Sequence, residues 1–209
     1  MKQSPHNAHV DSIESMEQGS WIQTRKINYT DPAGRPRVWE MAVRTTRSET
    51  TGLDAVSILG LLRDGESPKQ VVLVKQFRPP CSNVVIELPA GLIDPEESVE
   101  STAERELIEE TGYHGTFVSL NHNDVTIYSD PGLTNANMAL VTVDIDLADE
   151  RNKNPQPQLE DGEFIEVFKL PLKGFLGGLV KVCQEENCVI DARLYHLAVG
   201  LKLAEDLQS

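Results

Sequence analysis

Between Gly91 and Tyr113 the chain places eight carboxylates (Asp94, Glu96, Glu97, Glu100, Glu104, Glu106, Glu109 and Glu110) against a single base, Arg105. This stretch of net charge −7 holds half of the charge of the whole chain, which is −14. Within the same stretch Val99, Ala103 and Leu107 recur at i, i+4 and i+8, the stripe of a helix with one apolar face. Ser98 is placed to cap that helix, with Asp94-Pro95 a competing start one turn earlier, and Gly112 is placed to end it. At 100° per residue, Glu106, Glu109 and Glu110 fall within an arc of about 100°. Same-sign neighbours at i+4 cost a few tenths of a kcal/mol each. Gathered in a cleft, they raise one another's pKa unless something positive sits among them. A hard divalent cation supplies that charge, since Mg²⁺ prefers oxygen ligands and keeps waters that a substrate phosphate can replace. Charge alone favours a plainer reading, a solvated acidic helix face.

The rest of the chain bounds the fold around that helix. Its 209 residues are enough for one good-sized domain with a small appendage, and a 39% hydrophobic content can fill a core. Residues 1–19 read as a loose polar tail. Residues 20–50 read as a β-hairpin unit: a strand from Trp21 to Tyr29, a turn at Asp31-Pro32-Ala33-Gly34, and a return from Arg37 to Arg44. This unit carries both tryptophans and is locally basic. From residue 51 to 209 short β-branched runs recur: Ala55–Leu59, Val71–Val74, Val84–Leu88, 117–120, Met138–Val143 and Phe164–Phe168. Pro89-Ala90-Gly91 is expected to stop the strand before it, and an amphipathic helix is expected over about 190–207. The fold class is α+β, a mixed sheet with at least two helices, preceded by a small N-terminal β unit.

Several functions are disfavoured on the same grounds. With a pI near 4.7 there is no general basic face for a nucleic-acid backbone or an anionic membrane surface. No apolar run approaches the roughly 20 residues of a membrane span, and the start of the chain lacks an apolar signal core. Cys81, Cys183 and Cys188 lack metal-knuckle spacing and read as reduced thiols. His6, His9, His114, His122 and His196 show no ligand spacing, and neither a serine elbow nor a phosphate-binding glycine loop is present.

The order of residues in the acidic segment decides between the two readings of its charge. Gly91, five residues, Glu97, seven residues, Arg105-Glu106-Leu107, one residue, Glu109-Glu110, one residue, Gly112-Tyr113 resembles the Nudix box. Tyr113, where the family usually has an aliphatic residue, is the one departure among nine constrained positions. The resemblance implies a loop–helix–loop on an α/β/α sandwich and Mg²⁺-assisted hydrolysis of a nucleoside diphosphate linked to another group, with Mn²⁺ as a substitute. It further implies that Glu106, Glu109 and Glu110 bind metal, that Glu97 and Arg105 brace the loop with Glu97 able to share the metal, and that the carbonyl of Ala90 is a further ligand. Gly91 lets backbone pass close to metal and phosphate.

Three flanking motifs, Lys75-Gln76-Phe77-Arg78-Pro79-Pro80, Ile86-Glu87-Leu88-Pro89-Ala90-Gly91 and Ser129-Asp130-Pro131-Gly132-Leu133-Thr134-Asn135, resemble the ADP-ribose (ADP-sugar) pyrophosphatase branch, as does the tryptophan-bearing hairpin of its eukaryotic members. A proline beyond the box marks that branch, and here Pro131 lies 18 residues past Tyr113, in a loop slightly longer than usual. The likeness covers about residues 20–205. It implies a homodimer that exchanges hairpins, with Trp21 and Trp39 sandwiching adenine and Arg44 and Arg78 holding the diphosphate or the base. Leu92 and Asp130 match lesser substrate contacts. Glu163 matches the loop glutamate that serves as catalytic base, with Glu160 and Glu166 as competitors and Gly162 allowing the loop to move. The expected reaction is hydrolysis of ADP-ribose to AMP and ribose 5-phosphate, in the cytoplasm, with a nuclear share left open. GDP-mannose, a dinucleoside polyphosphate or an oxidised nucleoside diphosphate are the alternative substrates, and a non-catalytic nucleotide-binding module is the alternative role.

Overall fold

The continuous apolar run Val71–Val74 shows how the molecule is layered, because its side chains are buried on both faces of a sheet. Val72 joins a cluster with Val56, Ile58, Ala103, Leu107 and Val141, while Val71 and Leu73 join a second cluster with Ile86, Phe175, Leu179 and Leu194. A strand that alternates between two cores needs apolar residues at every position. The computed structural model describes Ser4 and residues 19–66, 68–120 and 126–208. Most of the expected tail, with His6 and His9, and also His122, lie outside the described residues.

Two strands, β1 (Ile22–Thr30) and β2 (Pro36–Arg44), form a separate antiparallel hairpin. Its turn is closed by Asp31, whose side chain accepts from the backbone N–H groups of Ala33 and Arg35, both at 2.9 Å. Among the described residues the main sheet has nine strands: β3 (Ala55–Arg63), β4 (Pro68–Arg78), β5 (Asn83–Glu87), β6 (Ala90–Leu92), β7 (Thr116–Leu120), β8 (Ile127–Tyr128), β9 (Asn137–Asp146), β10 (Ile165–Pro171) and β11 (Val189–Ile190). It is mixed. β3 runs parallel to β9 and β11 parallel to β5, while the remaining pairings are antiparallel. Helix α1 (Val99–Thr111) covers one face; α2 (Phe175–Glu185) and α3 (Ala192–Gln208) cover the other. This is the expected α/β/α arrangement.

Three features depart from the sequence reading. Ala90–Leu92 does not merely stop β5 but forms β6, which pairs with Ala55–Ser57 of β3. That pairing holds the start of the acidic segment against the sheet. Helix α2 forms despite Gly177-Gly178, because Phe175 and Leu179 are buried in the second core and outweigh the poor helix propensity of glycine. Helix α3 buries Leu194 and Ala198 as expected, yet its other side also carries large apolar residues, Tyr195, Val199, Leu203 and Leu207, all exposed. Among the described residues no helix is long and apolar enough to cross a membrane.

The hairpin lies against the 131–135 loop. The N–H of Ala42 donates to the carbonyl of Leu133 at 2.9 Å, and the indole N–H of Trp39 donates to the carbonyl of Gly132 at 3.0 Å.

Candidate active site

Helix α1 begins and ends where its residues require. Ser98 accepts from the N–H of Ser101 at 3.1 Å, and Ser101 accepts in return from the N–H of Ser98 at 3.0 Å, a reciprocal cap. Gly112 ends the helix with φ 73°. A Cβ there would lie 2.3 Å from the backbone nitrogen of Gln156, so glycine also lets the 153–164 loop pass. That loop is pinned to α1 by the N–H of Gln158, which donates to the carbonyl of Glu109 at 2.8 Å.

The helix turns its acids inward by degrees. Glu110 falls seven residues after Ala103, so it shares the core-facing stripe and is only 5% exposed. Its carboxylate accepts from the N–H of Ala90 at 3.1 Å. Burial pushes its pKa up to about 8; the Ala90 N–H opposes this, the charges of Glu106 and Glu163 add to it, and Arg78 lowers it. Burial also raises Glu106, against the opposing pull of Arg105 and with Glu109 and Glu163 adding to the rise. Gly91 is the cradle for Glu106, since a Cβ on that residue would lie 1.9 Å from the Glu106 carboxyl carbon.

Arg105 is the positive centre of the cluster. Its Nε and Nη2 grip the two oxygens of Glu97, both at 2.9 Å, and Nη1 donates to Glu106 at 2.8 Å and to Glu109 at 2.9 Å. Nη2 also reaches the carbonyl of Leu92 at 3.2 Å. The two-pronged bond from Arg105 is the main reason the Glu97 carboxyl is held down at about 2, and the three carboxylates hold the Arg105 guanidinium above its ordinary range. Sequence spacing thus brought together Ala90, Gly91, Leu92, Glu97, Arg105, Glu106, Glu109 and Glu110.

Among the described residues no three acids, histidines or cysteines already converge on one point. The donors present nonetheless suit a hard divalent cation. They are carboxylate and carbonyl oxygens, Glu110 is buried and Glu106 half-buried beside it, where a cation would offset the cost of their charges, and the Gly91 cradle leaves room for the Glu106 carboxylate. Glu106 and Glu109 would turn from Arg105 to meet such an ion.

The three candidate bases separate by position. Glu166 is opposite Lys75 on β4 and pairs with it at 3.1 Å; Lys75 also reaches Glu186 beyond α2, which places Glu166 on the α2–α3 side of the sheet, away from α1. Glu160 is exposed. Glu163 is half-buried, and its charge is felt by both Glu106 and Glu110. Its carboxylate accepts from the N–H of Glu160 at 3.1 Å, and Gly162 beside it has φ 91°.

Among the expected substrate contacts, Arg78 borders the cluster closely enough to lower Glu110, and its Nε is held by Glu87 at 2.7 Å. Glu87 is not singled out by the sequence, although it stands in the Ile86–Gly91 motif; its signal is two-residue alternation, which puts it on the same sheet face as Arg78. Trp39 is half exposed and lines a cavity of about 260 Å³ with Ile27, Tyr128, Pro131 and Leu133. Asp130 is exposed in the adjoining turn and accepts at its carbonyl from Leu133 and Thr134. Arg44 is exposed at the end of β2, and Trp21 is 73% exposed. Trp21 lies beside Thr45, six residues along from Trp39, so the backbone positions of the two tryptophans stand roughly 20 Å apart at strand spacing.

A NUDIX domain model matches residues 51–180. The chain is 43% identical to an ADP-ribose pyrophosphatase of Saccharomyces cerevisiae, covering 98% of this chain and 88% of that one. It is 40% identical to an ADP-sugar pyrophosphatase of Mus musculus, covering 96% and 90%. The crystal structure of an ADP compounds hydrolase has the same fold, with a TM-score of 0.54 at 19% identity over 87% of this chain and 85% of that one. Nudix hydrolases generally need a divalent metal ion. The domain match over most of the chain, and relatives this similar along nearly its whole length, make this chain a member of the Nudix hydrolase family.

Proposed function

We propose that this enzyme hydrolyses the pyrophosphate bond of ADP-ribose and related ADP-sugars, releasing AMP and the sugar 5-phosphate, with Mg²⁺ as its ion and Mn²⁺ as a substitute. The observation that carries the reading is the carboxylate cluster on α1, buried at Glu110 and braced by Arg105, in a chain whose full-length relatives bear the names of ADP-ribose and ADP-sugar pyrophosphatases. A binding module without catalysis would have no use for all of these acids.

In this reading Glu106, Glu109, Glu110 and the Ala90 carbonyl would hold the metal, with Glu97 able to share it. When bound, the metal neutralises the diphosphate and the charge that develops as the bridge breaks. Arg105 holds the acids in place until they are needed and keeps Glu97 ionised. Arg78, oriented by Glu87, and Arg44 offer planar forks to phosphate oxygens. Glu163, on its glycine-hinged loop, takes the proton of the attacking water. Leu92 and Asp130 contact the substrate at the margins. The hairpin of residues 20–50 serves base binding and dimerisation. Because Trp21 and Trp39 of one chain stand too far apart to grip one ring, the adenine sandwich takes one tryptophan from each of two subunits, and the enzyme is a homodimer. Its setting is the cytoplasm, with a nuclear share open.

The test is turnover of ADP-ribose with Mg²⁺ in ¹⁸O-water, with products identified by mass. AMP and ribose 5-phosphate, one of them labelled, are expected. Faster turnover of GDP-mannose, a dinucleoside polyphosphate or an oxidised nucleoside diphosphate would move the substrate; no hydrolysis with Mg²⁺ or Mn²⁺ would overturn the reading. A monomer by light scattering that remains active would reject the shared base site.

A further inference from the structure

The segment 45–54 that leads from the hairpin into β3 carries a polar knot with no place in the chemistry above. Asp54 is 1% exposed, and its carboxylate is gripped by Arg47, Nε to Oδ1 at 3.1 Å and Nη2 to Oδ2 at 2.7 Å. The same Nη2 reaches the carbonyl of Asn135 at 2.5 Å. Asp54 and Asn137 clasp each other reciprocally: the N–H of Asp54 donates to Asn137 Oδ1 at 2.9 Å, and the N–H of Asn137 to Asp54 Oδ2 at 3.0 Å. The Asn137 amide also donates to the carbonyl of Gly52 at 3.0 Å. On its far side the carbonyl of Asp54 accepts from the N–H of Ile93 at 3.2 Å, directly after β6.

Three parts of the molecule therefore meet around Asp54. The hairpin linker grips its carboxylate through Arg47, which also binds the 131–135 loop at the Asn135 carbonyl; Asn137, at the start of β9 two residues after Asn135, clasps it; and the segment that enters α1 reaches its backbone carbonyl through Ile93. The hairpin touches that same loop through Trp39 and Ala42. With Asp54 buried and the Arg47 side chain 32% exposed, the pair gains little as mere glue, since desolvation of the carboxylate offsets its attraction, but it defines one geometry sharply.

We propose that Arg47 and Asp54 are positioning residues that hold the hairpin and the 131–135 loop at a set distance from the cleavage centre, so that a base resting on Trp39 presents its diphosphate to the carboxylates. Neither residue touches substrate. The inference rests on the base-binding reading of Trp39 given above. Its consequence is a separation of effects. Breaking the latch loosens the base end while β6 and α1 keep their own bonds, so KM suffers and kcat does not.

The test uses the full chain. Arg47→Gln is compared with the double variant Arg47→Gln/Asp54→Asn, which leaves no unpaired buried charge and is read in its place should the single variant fold poorly, as judged by circular dichroism and Tm. KM for ADP-ribose is expected to rise about tenfold with kcat within about twofold of the parent. In a Trp39→Ala background the same change is expected to add little, because the group being positioned is gone. In a Trp21→Phe background, where Trp39 is the only tryptophan, quenching of its emission by acrylamide is expected to increase. An unchanged KM, a KM effect fully additive with Trp39→Ala, or a fall in kcat at constant KM would each overturn the proposal. If the parent does not turn over ADP-ribose, the functional reading fails separately, and the quenching experiment still decides whether the latch places Trp39: unaltered quenching rejects it.

Discussion

Replacing Gly91 with alanine isolates the geometry of the carboxylate cluster from its chemistry. Gly91 does not adopt a φ reserved for glycine, so alanine is conformationally acceptable and the effect is steric. The added methyl would lie 1.9 Å from both Cδ and Oε1 of Glu106 and 2.4 Å from Oε2. Ordinary contact between such atoms needs about 3.5 Å, so the carboxylate must retreat by roughly 1.5 Å. It sits at the end of a flexible side chain, and an off-rotamer position costs only about 1 kcal/mol, so the fold survives. The methyl fills the cradle that seats the Glu106 carboxylate, so Glu106 is displaced from its place between Arg105, 2.8 Å away, and the ion it would turn to meet. A catalytic group misplaced by about 1 Å costs about 100-fold, or ~2.7 kcal/mol of barrier. Initial rates of ADP-ribose hydrolysis should thus show kcat down at least about 100-fold with Tm within a few degrees of the parent. A kcat within about threefold of the parent would refute the claim that this glycine exists to seat Glu106.

Other perturbations probe different links. Glu110→Gln should abolish turnover yet leave Tm unchanged or raised, because the amide oxygen still accepts from Ala90 and no charge is buried; near-normal kcat would remove Glu110 from the site. Gly112→Ala, which meets the Gln156 backbone and requires a left-handed residue, should cost about 2 kcal/mol or more in urea unfolding and displace the loop that carries Glu163. Trp39→Ala should raise KM for ADP-ribose about tenfold with little change in kcat, as expected for lost stacking of ~1–3 kcal/mol; an unaltered KM would exclude the ring from base binding. Asp191 caps α3 by accepting from the N–H groups of Arg193 and Leu194, at 2.9 and 3.2 Å. Burial pushes its carboxyl up, but the fork of Arg193 and these N–H groups outweigh that and hold it below the ordinary value. Its stabilisation is therefore complete above about pH 4 and fades as pH falls through the lowered value, so Asp191→Ala should cost ~1 kcal/mol at pH 7, and a gap that did not narrow by pH 3 would contradict the assignment.

Much of the site was legible because it is written on one helix. A 3.6-residue period places Glu106, Glu109 and Glu110 on neighbouring positions without any tertiary information, and Ser98 and Gly112 mark its ends by local hydrogen bonding and backbone freedom. Strands β3, β4 and β9 were legible for a similar reason, since burial on both faces demands unbroken β-branched runs. The two-residue strands β8 and β11 carry no such signal, and α2 hides behind its paired glycines.

What the chain alone determined, then, is the chemistry available: which acids stand together, which arginine stands among them, and where glycine admits close approach. The tertiary structure decided which of these groups share a face and a distance. Only the pleat of β10 against β4 sends Glu166 to the far side of the sheet while Glu163 stays within reach of Glu110, and only the register of the hairpin keeps Trp21 and Trp39 apart. Pairings between distant segments are set by how whole layers pack, and no local run of residues records them.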